Sequence, residues 1–231
     1  LLVVFYLIAG GLRRVLALIE SNPLAIIAAS SLIAVEEALK STRFVIAAAA
    51  LDKDLRRSSA LKVHFASLGI GMITPAFSGS LPTQAAMLGD ALKVGPSEAM
   101  AIALAVTFFD SVVPAVVTAI ASTLLMPYSL PLLLIAIGVI LAWALILGAP
   151  LVDKAGEWVS RVARSGELRD FIGSESRKLR PYMFRVLRSS RAFTAMLAIS
   201  VASYLIEGLS VFMFTSGSLS AFGRDLVGLL M

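Results

Sequence analysis

The segment Ile73–Pro82 places helix-breaking and hydroxyl residues between two apolar stretches. Pro75 and Pro82 lack a backbone N–H and disfavour helix in the residue before them, while Gly79 tolerates backbone angles that other residues avoid. The chain is therefore predicted to turn within this segment.

The two apolar arms on either side of the turn, residues 61–73 and 83–94, are only 13 and 12 residues long. As helices with a rise of ~1.5 Å per residue they are about 18 to 20 Å long, whereas the hydrocarbon core of a bilayer is ~30 Å thick. Neither arm crosses a membrane alone. Non-helical backbone at membrane depth persists only beside protein or a water-filled cavity. The pattern predicts a re-entrant helical hairpin over residues 61–94 whose tip lines a polar cavity.

The composition indicates an integral membrane protein. Hydrophobic residues make up 58% of the chain and charged residues 15%, against roughly 45 to 50% and 25% in average proteins. We expect an all-α, polytopic transmembrane helical bundle that forms a single domain over residues 1–231. The sequence begins and ends inside apolar runs, so we expect it to be trimmed at one or both ends. The absence of cysteine excludes disulfides, thiol catalysis and cysteine-ligated metals.

Apolar runs long enough to span a bilayer recur along the chain. Gly95-Pro96-Ser97 with Glu98 is a helix-start signal before one of them. The predicted segments are the end of a span at 1–12, spans at 24–51, 99–125, 132–150 and 192–215, and an incomplete apolar segment after 216. The 132–150 span has no ionisable residue and is predicted to face lipid.

Charged residues inside these runs are candidates for function. Glu36, Lys40 and Arg43 follow i, i+4, i+7 spacing and share one helix face, with Glu37 beside them. They either pair with one another near the membrane surface or form a polar wall that faces the cavity. Asp110 falls close to the midplane, where a lone acid costs ~2.5 to 3.5 kcal/mol. It has either a structural hydrogen bond to a neighbouring helix or a functional role.

The segment 151–191 carries the whole net charge of +5. It holds ten basic and five acidic residues, and the remaining ten of each sign cancel. By the positive-inside rule this segment is cytoplasmic. Aromatic and aliphatic residues interleave with the charges, which predicts surface-lying amphipathic helices. Anionic headgroups explain such a basic loop better than nucleic acid, which we exclude as a partner.

Two long stretches carry a resemblance to a known family. From NPLAIIAASSLIAVEEALKSTRF through TPAFSGSLPTQAAMLGDALKVGPSEAMAIALAVTFFD, the sequence resembles the flippase-like family that includes the transmembrane region of lysylphosphatidylglycerol synthases. The family pattern is Thr-Pro, a spacer, Gly-Gly, an acid and Pro. The matching residues are Thr74, Pro75, Gly79 and Pro82. The resemblance implies movement of lipids, often aminoacylated or isoprenoid-linked, between leaflets.

The sequence departs from this family pattern at two positions. Ser80 replaces the second glycine, and Leu81 occupies the position of the acid. Any headgroup or proton role of that acid is then absent or moved to Glu36, Glu37 or Asp110. The catalytic domain of some relatives is not in this sequence.

The leading functional hypothesis is a lipid flippase or scramblase in the cell membrane, with a multi-pass topology and a hairpin-lined groove. No phosphate-binding glycine loop, helical metal motif or nucleophile elbow is present, so we expect neither catalysis nor a cofactor. The predicted partners are membrane lipids, anionic or isoprenoid-linked, and a homo-oligomer is left open. The candidate lipid-binding residues are Glu36, Lys40, Arg43, Thr74, Pro75, Ser78, Gly79, Ser80 and Asp110. The alternatives are a transporter of a small polar solute or ion coupled to these carboxylates, and a non-transporting membrane scaffold.

The chemistry expected of the hairpin tip rests on its hydroxyls and backbone. The backbone groups near Pro75 and Gly79 are predicted not to pair fully within the tip, so that water, a neighbouring helix or a headgroup satisfies them. The amides at the start of the second arm suit a lipid phosphate. Gly79→Val is then expected to block lipid movement and leave the fold intact.

Overall fold

The computed structural model describes residues 23–125, 130–148 and 166–216. Within these ranges the chain is helical and contains no strand, which confirms the predicted all-α class. The elements in chain order are α1 Pro23–Ala49, α2 Arg57–Ile73, a 3-10 turn Pro75–Phe77, α3 Ser80–Leu92, α4 Pro96–Leu125, α5 Leu130–Gly148, α6 Gly166–Arg188 and α7 Ser190–Ser216. The segments predicted at 1–12 and after 216 and the first part of the basic segment, 151–165, lie outside the described residues.

Three of the described helices are long and apolar enough to cross a membrane. They are α4 over Pro96–Ala121, α5 over Leu130–Leu147 and α7 over Ser190–Met213, close to the predicted spans. Only 11% of the α5 span is buried, as expected of a helix that faces lipid. α1 is not among them, because every 18-residue stretch of this helix contains Glu36, Glu37 and Lys40.

Two compact units divide the chain, Leu1–Glu37 with Ala202–Met231 and Ala38–Val201. The second unit holds the hairpin, α4, α5 and α6. Its central helix is α4, which packs against α3, α5 and α6. Alanines on α4 are fully buried and allow these neighbours to approach closely; they are Ala99, Ala101, Ala103 and Ala105. The larger core residues around them include Phe44, Val63, Leu88, Ile102, Phe109, Val186 and Met196.

The helical hairpin consists of α2, the 3-10 turn and α3. Its arms pack against each other, and α3 packs on α4. The arms contain 17 and 13 residues, so they are about 26 and 20 Å long and still shorter than a ~30 Å hydrocarbon core. The first arm begins at Arg57 and the second at Ser80, a few residues before the predicted positions. Both helices exist as predicted, and the position of their tip inside a bilayer stays a prediction.

Both ends of the hairpin lie at the same end of the second unit. Lys53, which precedes α2, pairs with Glu98 in the first turn of α4 at 3.5 Å. Asp52 pairs with Arg185 near the end of α6. Because Glu98 follows α3 by a few residues, the Lys53–Glu98 ion pair joins the start of the hairpin to the region just after its end. Any antiparallel helix pair, re-entrant or not, has its two ends together in this way.

α6 forms the second part of the predicted basic segment. Its apolar side packs on α4, and Met183 and Val186 are buried there. Arg177, Lys178 and Arg188 are exposed on the same helix. Protein therefore covers much of the apolar side of α6 that the sequence assigned to a membrane surface. Whether its exposed side contacts lipid headgroups stays a prediction.

Candidate functional site

An ion pair between α1 and α4 is the main polar contact within the apolar part of the second unit. Arg43 donates from Nη2 to Asp110 Oδ1 at 2.5 Å and from Nη1 to the Ser200 hydroxyl at 2.8 Å. Arg43 Nε also donates to the carbonyl of Lys40, one turn earlier, at 3.2 Å. Three helices thus meet at one guanidinium. We call Arg43, Asp110 and Ser200 the Arg43 cluster.

The Arg43 cluster lies at the middle of two candidate spans. Asp110 follows Pro96, the start of the α4 span, by 14 residues, or about 21 Å of helix. Ser200 follows Ser190, the start of the α7 span, by ten residues, or about 15 Å. Both distances are near half the length of the span concerned. A bilayer around these helices would place the ion pair far from either surface.

The two partners differ strongly in exposure. The Arg43 side chain is 1% exposed, whereas that of Asp110 is 40% exposed. Arg43 carries a buried charge that needs a partner, since an isolated buried charge is very costly. Asp110 neutralises that charge and still presents part of its carboxylate at the protein surface. The chemistry available to a ligand is therefore that of a carboxylate held in place by a buried arginine.

Hydrogen-bonded polar side chains also lie in the interior of the hairpin, and the sequence analysis did not predict them. Gln84 on α3 donates from Nε2 to the hydroxyls of Ser67 on α2 and Ser80 on its own helix, both at 3.3 Å. Ser67 in turn donates to the carbonyl of His64 at 2.8 Å. The Gln84 carbonyl oxygen Oε1 is buried and has no hydrogen-bond partner. The sequence signal was a glutamine one turn after Ser80 in an apolar arm.

Thr74 closes the hairpin tip from within. Its hydroxyl donates to the carbonyl of Ile70 at 2.9 Å and accepts from the backbone N–H of Gly79 at 2.9 Å. The amide of Thr74 itself bonds back to Ile70, and those of Phe77 and Ser78 bond to Thr74 and Pro75. These amides therefore pair within the tip, and the expectation that its backbone groups do not all pair there stays a prediction for the others. Thr74 is a structural residue of the turn.

Gly79 is required for a different reason from the predicted one. Its backbone angles, φ −78° and ψ −17°, are open to any residue. A Cβ at this position would lie 2.7 Å from Thr74 Cγ2 and 2.8 Å from Ile70 Cγ2, closer than carbon atoms pack. The glycine allows the start of α3 to approach the end of α2. The expectation that Gly79→Val leaves the fold intact does not agree with this packing.

The other predicted site residues have separate surroundings. Glu36 is buried on α1 within the first unit, and Lys40 is half-buried. Pro75 begins the 3-10 turn, and the Ser78 side chain is exposed. Among the predicted residues, the structure thus brings together Arg43 with Asp110 and with the Lys40 carbonyl, and Thr74 with Gly79. Ser80 accepts a hydrogen bond from Gln84. The hydrogen bonds of Arg43 and those of Thr74 share no residue.

Glu175 on α6 caps the first turn of α4. Its Oε2 accepts from the Ser97 hydroxyl at 2.7 Å and from the Ser97 amide at 3.2 Å, while Oε1 accepts from Lys178 at 2.8 Å. Hydrogen bonds from Lys178 and Ser97 lower the pKa of the Glu175 carboxyl below its ordinary value. The helix start that the sequence predicted at Pro96 is therefore completed by a residue from another helix.

Metal binding is not supported by the described residues. Residues 23–125, 130–148 and 166–216 hold no group of three or more His, Asp or Glu side chains placed to bind an ion. His64 is buried, and its ring centroid lies 6.3 Å from that of Phe44 and 5.7 Å from that of Phe65. The His64 ring therefore lies among aromatic side chains.

Comparison with known proteins gives one family assignment. A family model described as the lysylphosphatidylglycerol synthase TM region matches residues 1–228, nearly the whole chain. Comparisons with curated proteins and with solved structures gave no match.

Proposed function

Because the chain belongs to the family of the lysylphosphatidylglycerol synthase transmembrane region, we propose that it moves a polar-headgroup lipid between the leaflets of a membrane. The observation that carries the proposal is the half-exposed Asp110 carboxylate near the middle of the α4 span. A polar headgroup has to cross the hydrocarbon core at this depth. A fixed carboxylate there can replace part of the headgroup's hydration.

The members of the Arg43 cluster have different roles in this proposal. Arg43 is a positioning residue, since its guanidinium already bonds to Asp110, Ser200 and a backbone carbonyl. Asp110 is the group that meets the ligand. A carboxylate attracts an ammonium group and accepts hydrogen bonds from hydroxyls. The proposed substrates are therefore lipids with an amine or several hydroxyls in the headgroup.

The helical hairpin contributes a lipid-facing surface in this proposal. Large apolar side chains are exposed around its tip, among them Met72 at 69%, Ile73 at 79% and Phe77 at 49%. Several large exposed apolar side chains close together in the chain are typical of a surface that contacts a membrane or another protein. With arms shorter than the hydrocarbon core, the hairpin would enter the bilayer and return to the same side. Lipid tails would then remain in contact with this surface while the headgroup passes.

A transporter of a small polar solute or ion is the second candidate. It is favoured by the same exposed carboxylate, which could carry a proton across the middle of the span. No catalysed reaction is part of either proposal. The two candidates differ in the substrate that crosses, so one reconstitution separates them.

The test is a liposome assay with purified protein and fluorescent phospholipids of ethanolamine, glycerol and choline headgroups. Addition of a membrane-impermeant reductant bleaches the outer leaflet, so lipid movement appears as bleaching beyond half of the signal. We expect Asp110→Asn to slow lipid movement about tenfold or more, as when one charge-assisted hydrogen bond is lost. Asp90→Asn, an exposed acid at the end of α3, serves as the matched control and should keep the parental rate.

Rates are compared per folded protein, as judged by a single peak in size-exclusion chromatography. No lipid movement above that of empty liposomes, together with proton or solute flux that Asp110→Asn abolishes, would favour the second candidate. Parental lipid movement in a folded Asp110→Asn protein would exclude Asp110 from the path.

A further inference from the structure

A pocket on α6 gathers three arginines around one aromatic ring. It has a volume of about 530 Å³ and is lined by Arg180, Pro181, Phe184, Arg185 and Arg188. The five residues lie within nine positions of one helix, so the pocket is an open groove on the surface of α6. We call it the arginine pocket. None of its residues belongs to the Arg43 cluster or to the hairpin.

Each arginine of the pocket contacts another side chain. The Arg180 guanidinium lies 5.4 Å and that of Arg188 5.1 Å from the centroid of the Phe184 ring, a cation–π arrangement. Arg185 pairs with Asp52. The Asp52 carboxylate thus offsets one of the three positive charges, and the residues that line the pocket include no acid.

The depth of the pocket follows from the ends of two candidate spans. Arg180 donates from Nη2 to the carbonyl of Leu147 at 3.1 Å, and Leu147 is the last residue of the α5 span. Arg188 precedes Ser190, the first residue of the α7 span, by two positions. This hydrogen bond and the position of Arg188 in the chain put the pocket at the ends of two candidate spans, where they would leave the hydrocarbon core. Lipid phosphates lie at this level of a bilayer.

We propose that the arginine pocket binds the phosphate of an anionic phospholipid at the membrane surface, apart from any path for lipid movement. A guanidinium offers five N–H donors in a planar fork that suits phosphate oxygens. An arginine that already makes one or two contacts can therefore still bind a phosphate. A lining of three arginines without an acid favours a lipid with a net negative headgroup over a zwitterionic one. The proposal does not depend on the transport function.

The experiment measures lipid binding to the whole protein in detergent by native mass spectrometry, with titrated phosphatidylglycerol or phosphatidylcholine. We expect phosphatidylglycerol to bind more tightly, and Arg180→Gln with Arg188→Gln to weaken its binding about tenfold or more, the effect of losing a charge-assisted hydrogen bond. Arg177→Gln is the matched control, because Arg177 is exposed on the same helix outside the pocket and bonds to its own backbone at Gly173. It should bind phosphatidylglycerol as the parent does.

If the double variant does not fold, the single variant Arg188→Gln is tested in its place. Its fold should be unaffected, since the Arg188 side chain is exposed. Unchanged phosphatidylglycerol binding by a folded pocket variant would overturn the proposal. Equal affinity for phosphatidylcholine would also overturn it. Inorganic phosphate or glycerophosphoglycerol that displaces the lipid at similar concentration would show a site for soluble phosphate instead.

Discussion

At the scale of single residues, the Arg43–Asp110 pair is where stability and proposed function meet. The buried guanidinium cannot shed its charge, because arginine stays protonated in proteins. Its partner is half-exposed, so the pair is open on one side to whatever surrounds α4. The same contact that neutralises Arg43 also fixes the carboxylate. Loss of Asp110 should therefore affect both folding and the proposed lipid movement.

We expect Asp110→Ala to lower the free energy of unfolding by about 2 to 3 kcal/mol. Breaking a buried ion pair costs roughly 3 to 5 kcal/mol, and the exposed half of Asp110 reduces that figure. Denaturation in mild detergent, followed by circular dichroism, measures the change. In the double variant Arg43→Met/Asp110→Ala no buried charge is left behind, so it should regain part of the loss. A double variant less stable than the sum of both single changes would contradict this account.

Gly79 provides a second test at this scale. We expect Gly79→Ala to cost about 1 to 3 kcal/mol, the usual range for overpacking, because its Cβ would lie within 2.7 to 2.9 Å of Thr74 and Ile70 atoms. Gly69→Ala is the control: it lies on α2, nothing is within 4 Å of its Cβ, and alanine favours helix by about 1 kcal/mol. The melting temperatures should move in opposite directions. A stable Gly79→Ala protein would show that the tip is looser than described.

At the scale of helices, α4 is positioned by residues that precede it in the chain and by residues that follow it. Glu175 from α6 caps its first turn, and Lys53 from the loop before α2 pairs with Glu98 in the same turn. On its other side, Trp143 from α5 donates from Nε1 to the Ser111 hydroxyl at 2.8 Å. These contacts fix the rotation of α4 about its axis. Asp110 thereby points towards Arg43.

The cap predicts a pH dependence of stability. The pKa of Glu175 is lowered in the folded protein, so its contribution is complete above the pKa of an unfolded glutamate, about 4.3, and is lost as the pH falls through the folded value. Glu175→Ala should cost about 1 kcal/mol at pH 7, as for other lost N-caps. Thermal melts from pH 7 to pH 3 should show this difference shrinking below about pH 4.3. Asp170→Ala removes an exposed acid on the same helix and should show little of this pH-dependent difference in stability.

The helical hairpin predicts a pattern of solvent access. The chain has no cysteine, so single cysteines can be placed at Lys62, Ile73 and Lys93. We expect impermeant maleimide to reach the 62 and 93 positions from the same side of the membrane, since both ends of the hairpin lie together. Cysteine at 73, at the exposed apolar tip, should react from neither side until detergent is added. Labelling of 62 and 93 from opposite sides would exclude a re-entrant hairpin.

At the scale of the whole molecule, two groups of polar contacts in the second unit lie at different levels. One level is the end of the second unit where Asp52, Lys53, Glu98, Glu175 and Arg185 pair. The other is the middle of the α4 and α7 spans, where the Arg43 cluster lies. This separation fits the proposed function, in which the ion pairs lie near one membrane surface and Asp110 lies in the hydrocarbon core. That this membrane surface is the cytoplasmic one stays a prediction from the positive-inside rule.

The sequence by itself determined the helical class, the spans of α4, α5 and α7, the break at Thr74–Pro75 and the helix start at Pro96. Each of these depends on local properties: apolar length, missing N–H groups and capping signals act within a few residues.

Only the tertiary structure decided which polar residues meet. Spacing along α1 placed Arg43 on a stripe with Glu36 and Lys40, yet its side chain bonds to Asp110, 67 residues away, and to Ser200, 157 residues away. Glu175 reaches Ser97 across 78 residues, and Gly79 lies where a Cβ would come within 3 Å of Thr74 and Ile70 side-chain atoms. Periodicity describes one helix at a time, whereas these contacts depend on which helices pack together and at what rotation. Packing selects that arrangement, because a buried charge such as that of Arg43 is costly without a partner and finds its partner here on another helix.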